Sequence, residues 1–320
     1  MNYFSEEHEM FRKSLRDFLK REVKPNLNQW EKDEKIPKEI WKKMGEMGFL
    51  GLSFPEKYGG SNLDFFFEVV LNEEMGRLNS GGFTVTQQAV QYMSGPYILK
   101  YGSDLLKSKY LPGIISGDLI SCIGITEPNA GSDVQNIQTN AIKKGDNYIV
   151  NGSKTFITNG VYGDFMVTVV KTDPAAKSKG ISLLVIDLDS PGITKTKIDK
   201  LGWRSSDTAE LSFDNVVVPS ENLVGEEGKG FVQAMKVLDG GRISIGALAL
   251  GIATGAYKAA LKYSKEREQF GQSISKFQGI AFKLADMATK VEAARLLCLN
   301  AASKKDAGEE FTAAASMAKL

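Results

Sequence analysis

A chain of 320 residues with 40 Lys+Arg against 39 Asp+Glu carries a formal net charge of +1, and its length suggests about two domains around a large core. The even balance and the lack of a basic block argue against nucleic acid as the main partner, and no apolar run reaches membrane-spanning length. One histidine and two cysteines nearly exclude a Cys/His zinc site and leave any Ser-His-Asp triad dependent on His8, in a charged helix. Chemistry here falls to carboxylates, hydroxyls, backbone amides or a borrowed cofactor. Glu6, Glu7 and Glu9 stand where a secretion signal would be apolar and a mitochondrial transit peptide would be Arg-rich, so a cytoplasmic protein is expected.

Residues 5–24 read as an amphipathic helix capped by Ser5, with Met10, Phe11, Leu15, Phe18, Leu19 and Val23 on one face. A second helix starts near Pro37 and stops near Gly48. Longer ones are expected over 64–78 and 84–101, the latter bent near Gly95-Pro96. The pattern changes at Leu119, where Leu119-Ile120-Ser121-Cys122 reads as a buried strand. Further strands are expected over 140–151 (around a turn at Lys144-Gly145-Asp146), 154–158, 165–171, 181–188 and 209–218. From Gly230 the chain is helical again: to Glu266, from 276 to 305, and from Glu309 onward. Cys122 in a strand pattern and Cys298 in a helix pattern read as core thiols rather than a disulfide. The fold class is α+β and multi-domain: an N-terminal helical domain (1–118), a small β-barrel-like domain (119–222) and a C-terminal helical bundle (223–320).

Four stretches carry possible chemistry. Ile123-Gly124-Ile125-Thr126-Glu127-Pro128-Asn129-Ala130-Gly131-Ser132-Asp133 follows the first strand and breaks into Pro, Asn, Gly and Ser. This composition suits either a backbone cradle for an anion or an ordinary surface turn. Phe156-Ile157-Thr158-Asn159-Gly160 sets an aromatic ring and a hydroxyl two residues apart on one strand face, for a stacked heterocycle or for the core. Asp239-Gly240-Gly241-Arg242 interrupts a helix with two glycines, which predicts either close approach of another group to the backbone or a plain Asp–Arg surface pair. Arg267-Glu268-Gln269-Phe270-Gly271, with Gln278 beyond, joins two long helices, where Arg267 either forks onto a pyrophosphate or sits in a simple turn.

Taken together, Thr126-Glu127-Pro128-x-Ala130-Gly131-Ser132-Asp133, Ile157-Thr158-Asn159-Gly160, Leu211-x-Phe213-Asp214-Asn215-Val216-x-Val218-Pro219 and Arg267-Glu268-Gln269-Phe270-Gly271 resemble the acyl-CoA dehydrogenase flavoprotein family, in this order and across essentially the whole chain. The resemblance implies FAD as cofactor. Ile123, Ile125, Thr126, Gly131 and Ser132 would contact it, with Thr126 at the pyrimidine end of the flavin. Phe156 takes a place often held by tryptophan, Ile157 lies beside it, and Thr158 would bond the N5 region. Arg267, Phe270 and Gln278 would reach the FAD of a neighbouring subunit in a homodimer or homotetramer. Ser132, Asp239, Gly240, Gly241 and Arg242 would hold the coenzyme A arm, and Val85, Thr86 and Ala89 would line the acyl end. Asn129 replaces a usual glycine, a mild departure because Asn tolerates left-handed backbone.

The implied reaction is α,β-dehydrogenation of an acyl-CoA, with an electron-transfer flavoprotein as electron acceptor. An acyl-CoA oxidase on the same scaffold and a non-catalytic FAD or acyl-CoA binding module are the alternatives. The family's catalytic glutamate has no counterpart: no Tyr-Glu-Gly-Thr-Ser-like segment occurs, and the alternative position before Arg242 is Gly241. With Leu320 falling inside a helical pattern, the expectation is a C-terminally truncated chain with its base beyond Leu320 and little or no turnover of its own.

Overall fold

The computed structural model describes residues 3–320. In chain order the helices are α1 (Glu6–Phe18), α2 (Leu27–Asp33), α3 (Glu39–Glu46), α4 (Phe65–Gly76), α5 (Gly81–Gln88), α6 (Gly95–Tyr101) and α7 (Asp104–Ser116). Strands β1 (Ser121–Gly124), β2 (Asn140–Lys144), β3 (Asn147–Thr158), β4 (Phe165–Lys171), β5 (Ile181–Asp187), β6 (Ile193–Lys197) and β7 (Thr208–Pro219) follow. Then come α8 (Gly230–Glu266), the short strands β8 (Glu268–Gln269) and β9 (Gln272–Ser273), α9 (Gln278–Asp306) and α10 (Thr312–Lys319).

The chain divides into two compact units. One gathers residues up to Pro25, Asp64–Thr84 and Asp239–Leu320; the other holds Asn26–Leu63 and Val85–Leu238.

The second unit is built on a curled seven-stranded sheet in the order β1-β4-β2-β3-β7-β6, with β5 paired to β4. β4 runs parallel to β1 and antiparallel to β5. Six of the seven residues in each of β4 and β5 are buried, the signature of strands covered on both faces. β7 instead alternates buried and exposed positions along much of its length, so one of its faces meets solvent. Cys122, Tyr148, Val150, Ile157, Met166, Leu211 and Phe213 belong to the core between them.

In the first unit, Phe65, Val69, Ile243, Ala247, Cys298, Leu299 and the alanines of α9 and α10 pack as one cluster. Small residues let backbones approach: a Cβ on Gly251 of α8 would lie 2.3 Å from the carbonyl oxygen of Glu73 in α4. Buried beside this crossing is an ionic network. Arg12 donates to Glu73 at 3.3 Å and Glu74 at 3.1 Å, Arg295 to Glu73 at 2.6 Å, and Arg16 and Arg77 to Glu74 at 2.8 and 2.9 Å.

Several expectations need correcting. The first helix gives way after Phe18 to a π turn over Leu19–Val23. Helices α2 and α7 were not anticipated, and α7 carries Pro112 in its interior. The segment 84–101 is interrupted by a π turn at Ala89–Ser94, before the Gly-Pro pair rather than at it. β1 lies two residues later than the apolar run predicts, and β6 was missed because its Ile-Thr-Lys-Thr-Lys sequence is largely polar. The strands expected over 147–151 and 154–158 are one strand, β3. His8, in its charged helix, is buried: its ring accepts from the Ser5 amide at 3.0 Å and pairs with Asp64 at 2.9 Å, a capping role. One helix, α8, does have the length and apolarity to cross a membrane, with a mean hydropathy of 1.3 over its most apolar stretch. Its buried Ile243, Ala247, Leu248 and Leu250 place that apolarity in packing.

Candidate active site

The second unit presents a ring and a loop held by one buried charge. β3 pairs with β7 up to Lys154↔Leu211 and resumes at Ile157↔Ala209, so Thr155 and Phe156 together oppose Glu210. This is a β-bulge, a device that re-aims a side chain. Phe156 takes the left-handed backbone region at φ 59°. As a result Lys154 and Thr155 both turn inward, and the Phe156 ring stands outward, 67% exposed. Thr158 is half-buried on the same outward side, so ring and hydroxyl share a face as the sequence predicts. The Ile157 side chain lies in the core cluster, which leaves only its backbone for a ligand.

Lys154 is fully buried and donates to the Glu127 carboxylate at 2.7 Å and the Ile125 carbonyl at 3.1 Å. Glu127 also accepts from the amides of Gln138 at 2.5 Å and Thr139 at 3.0 Å. Burial alone would raise the Glu127 carboxyl; Lys154 and these donors outweigh it and hold it below the usual range. Burial in turn pulls the Lys154 ammonium down to about 8, against the opposing pull of Glu127. Glu127 and Ala130 exchange two backbone hydrogen bonds, 3.0 and 3.1 Å, which puts Pro128 and Asn129 at the tip of a closed turn. The Thr155 amide donates to the Thr126 carbonyl at 2.8 Å and locks loop to bulge. Beyond the turn Gly131 and Ser132 are exposed, and a Cβ on Gly131 would touch nothing. Ile123, Ile125 and Thr126 are half-buried along the same run.

Sequence reading missed the Lys154–Glu127 latch. A lysine between buried strand positions, with an acid in the neighbouring loop, was the available signal. It also missed Asn159 as a tie: its amide nitrogen donates to the Ser121 carbonyl at 3.0 Å and the Thr86 carbonyl at 3.4 Å, joining the end of β3 to β1 and α5. Thr86 and Ala89 are buried and Val85 half-buried, at the junction of α5 and the π turn.

In the first unit, Asp239 pairs with Arg242 and accepts from the Thr312 hydroxyl at 3.1 Å. The tight approach predicted at the glycine pair is not made by protein. Lys305 is the nearest group to a Cβ on Gly240, at 3.4 Å, and a Cβ on Gly241 would meet nothing. The helix continues unbroken with a bare strip of backbone. Arg267 and Phe270 lie at a small hairpin rather than a plain turn, and Gln278 opens α9 beyond it. Phe270 and Gly271 both have positive φ, 53° and 75°, as a two-residue hairpin turn requires. Phe270 stands at its tip, 94% exposed, with Arg267 and Gln278 exposed nearby.

These features fit a flavin nucleotide: a bare aromatic face on a bulge, hydroxyl-bearing threonines beside it, and glycine backbone that a side chain would cover. The chain is thus built of helical, β and helical parts and carries a site suited to a planar aromatic cofactor. The family models described as acyl-CoA dehydrogenase N-terminal, middle and C-terminal domain match residues 5–118, 122–216 and 228–320. The chain is 44% identical over 315 residues to the short-chain specific acyl-CoA dehydrogenase of Clostridium acetobutylicum, covering 98% of this chain and 83% of that protein. It is 42% identical to the CarC subunit of the caffeyl-CoA reductase-Etf complex of Acetobacterium woodii, covering 99% and 84%. The crystal structure of an acyl-CoA dehydrogenase from Geobacillus kaustophilus superposes with a TM-score of 0.96 at 44% identity, covering 99% and 84%.

The chain belongs to the acyl-CoA dehydrogenase family. The C-terminal domain is among its matched parts, and the matches lend no support to the expectation of truncation.

Proposed function

We propose that this protein is an FAD-dependent acyl-CoA dehydrogenase that converts an acyl-CoA thioester to the trans-2-enoyl-CoA and passes electrons to an electron-transfer flavoprotein. The observation that carries this is the outward Phe156 ring on its bulge, joined by Lys154 to the Ile125–Glu127 loop. FAD, when bound, supplies the hydride acceptor. Phe156 packs on the ring system, and the Thr126 and Thr158 hydroxyls orient it. Gly131 and Ser132 leave backbone open for the pyrophosphate. Asp239, held by Arg242 and Thr312, and the bare backbone of Gly240 and Gly241 receive the coenzyme A arm.

The exposed Arg267, Phe270 and Gln278 suit contact with a second copy and its FAD, in a homodimer or homotetramer of a cytoplasmic enzyme. The domain limits that go with this reading are 1–118, 119–222 and 223–320.

We assign the role of α-proton base to no named residue, since the family's Tyr-Glu-Gly-Thr-Ser-like segment has no counterpart in the sequence. The alternative position before Arg242 is glycine, Gly241, and the Glu127 carboxylate is committed to Lys154 and two backbone amides. In the test, the 320-residue chain is loaded with FAD and mixed with butyryl-CoA. Perturbation of the flavin spectrum by the acyl-CoA is the expected result. Loaded protein indifferent to every acyl-CoA would overturn the substrate assignment. Faster reoxidation by an electron-transfer flavoprotein than by oxygen separates dehydrogenase from oxidase.

A further inference from the structure

Asp207 immediately precedes β7 and is only 5% exposed. Its carboxylate accepts from the Val161 amide at 2.6 Å and from the Tyr162 amide, and its carbonyl accepts from the Asn159 amide at 3.3 Å. Glu127, buried in the same unit, has the Lys154 ammonium at 2.7 Å. Asp207 forms no ion pair among the described residues, and Lys200 acts on it only at longer range. Burial pushes its carboxyl above the usual range, and the amide donors only partly offset this. A buried carboxylate without a cation is costly to keep, so the turn it fastens is the feature to explain.

That turn starts where β3 ends. Thr158, the last residue of β3, pairs with Thr208 in the ladder. Asn159 follows at φ 64°, with its side-chain amide on the Ser121 and Thr86 carbonyls. Gly160 passes so close to β7 that a Cβ there would lie 2.8 Å from the Ala209 Cβ. Asp207 therefore grips the chain on both sides of Gly160, at Asn159 before it and at Val161 after it. A carboxylate has lone pairs enough for two amides, and charge-assisted bonds are the stronger kind.

We infer that Asp207 is a positioning residue for the flavin: by clamping the turn after β3 it sets where the Thr158 hydroxyl meets the ring system. This rests on the flavin reading given above. Strand pairing with Thr208 guides Thr158 from one side, and the clamped turn fixes it from the other.

The test is a double-mutant cycle on flavin-stripped protein titrated with FAD, reading both the dissociation constant and the reduction potential of the bound flavin. Thr158→Val weakens FAD about 3- to 10-fold, the worth of one hydrogen bond. It also shifts the potential, because a bond to the ring tunes its electronics. Asp207→Ala weakens FAD over the same range and shifts the potential in the same direction. In the Thr158→Val background, Asp207→Ala adds less than about 2-fold and moves the potential no further, since both changes act through one contact. Asp207→Asn keeps an acceptor for the Val161 amide and retains most of the wild-type affinity. A residue that merely stabilised the fold would lower the melting temperature without moving the potential of the flavin still bound. Should Asp207→Ala not fold, Asp207→Ser runs the same cycle under the same criteria. Wild-type affinity and potential in Thr158→Val or in Asp207→Ala, or effects that multiply in the double variant, overturn the inference. A wild type that takes up no FAD overturns the flavin reading itself, and the inference with it.

Discussion

Lys154, wholly buried in β3, lies 2.7 Å from the Glu127 carboxylate and 3.1 Å from the Ile125 carbonyl, so one ammonium grips both sides of Thr126. The same strand turns Phe156 outward two residues later. Loop and ring are therefore set by a single strand irregularity, and their spacing is a property of β3 rather than of the loop. A buried ion pair is a weak source of net stability but is very sensitive to losing one partner.

Lys154→Met leaves the Glu127 carboxylate buried without its cation. The expected loss is about 3 kcal/mol in denaturant unfolding, together with a clear loss of retained FAD. Adding Glu127→Leu to Lys154→Met recovers much of the stability, because no charge is then left uncompensated, but not the FAD content. Equal FAD retention in wild type and Lys154→Met would show that the latch does not position the site.

Acid sensitivity follows from the same carboxylate. Glu127 is held below its ordinary value of 4.5 in the folded chain. Below that ordinary value the unfolded chain binds more protons than the folded one, and stability falls with falling pH. The contribution of Glu127 is complete above about pH 4.5 and is lost as pH drops through its lower folded value. Urea midpoints measured from pH 6 downward therefore decline for the wild type, and Glu127→Gln declines less steeply although it starts from a lower midpoint. Identical slopes would mean that the carboxylate is not held down.

Phe156 separates stability from ligand binding. Its ring is exposed and its backbone is left-handed, a conformation costing a non-glycine residue roughly 1 kcal/mol. Phe156→Gly thus leaves the melting temperature unchanged or higher, while FAD affinity falls about 3- to 10-fold through lost stacking. A large drop in melting temperature would place the ring in the core.

At the helix crossing of the first unit, Gly251→Ala puts a methyl 2.3 Å from the Glu73 carbonyl oxygen. The nearest atoms, of Glu73 and Gly76, are all backbone, so the helices must part, at about 1–3 kcal/mol. Thermal unfolding of the single variant, with the exposed Gly308→Ala as a strained but uncrowded control, reads this directly.

Periodicity made much of this architecture legible. The apolar face of α1, the continuous apolar runs of β4 and β5, the alternation of β7 and the long α8 and α9 all declare themselves in the sequence. α7 escaped because Pro112 reads as a helix breaker, and β6 because alternating Thr and Lys hide a strand at the edge of the sheet. In the site, Phe156 and Thr158 were readable as a same-face pair. The bulge that turns this pair outward was not, since it depends on pairing with β7, more than fifty residues away. Lys154–Glu127 was hidden for the same reason: a buried charge is visible in sequence only as a polar residue in the wrong place, and its partner is fixed by tertiary contact.

The central claim is that the Thr126 loop and the Phe156 bulge receive a flavin. Titration of the purified, flavin-stripped protein with FAD, followed by visible absorbance and by protein-bound flavin after gel filtration, tests it most directly. The predicted result is saturable binding of one FAD per chain, weakened by Phe156→Gly and by Lys154→Met. A protein that stays colourless at saturating FAD, or that binds FAD equally in both variants, would contradict it.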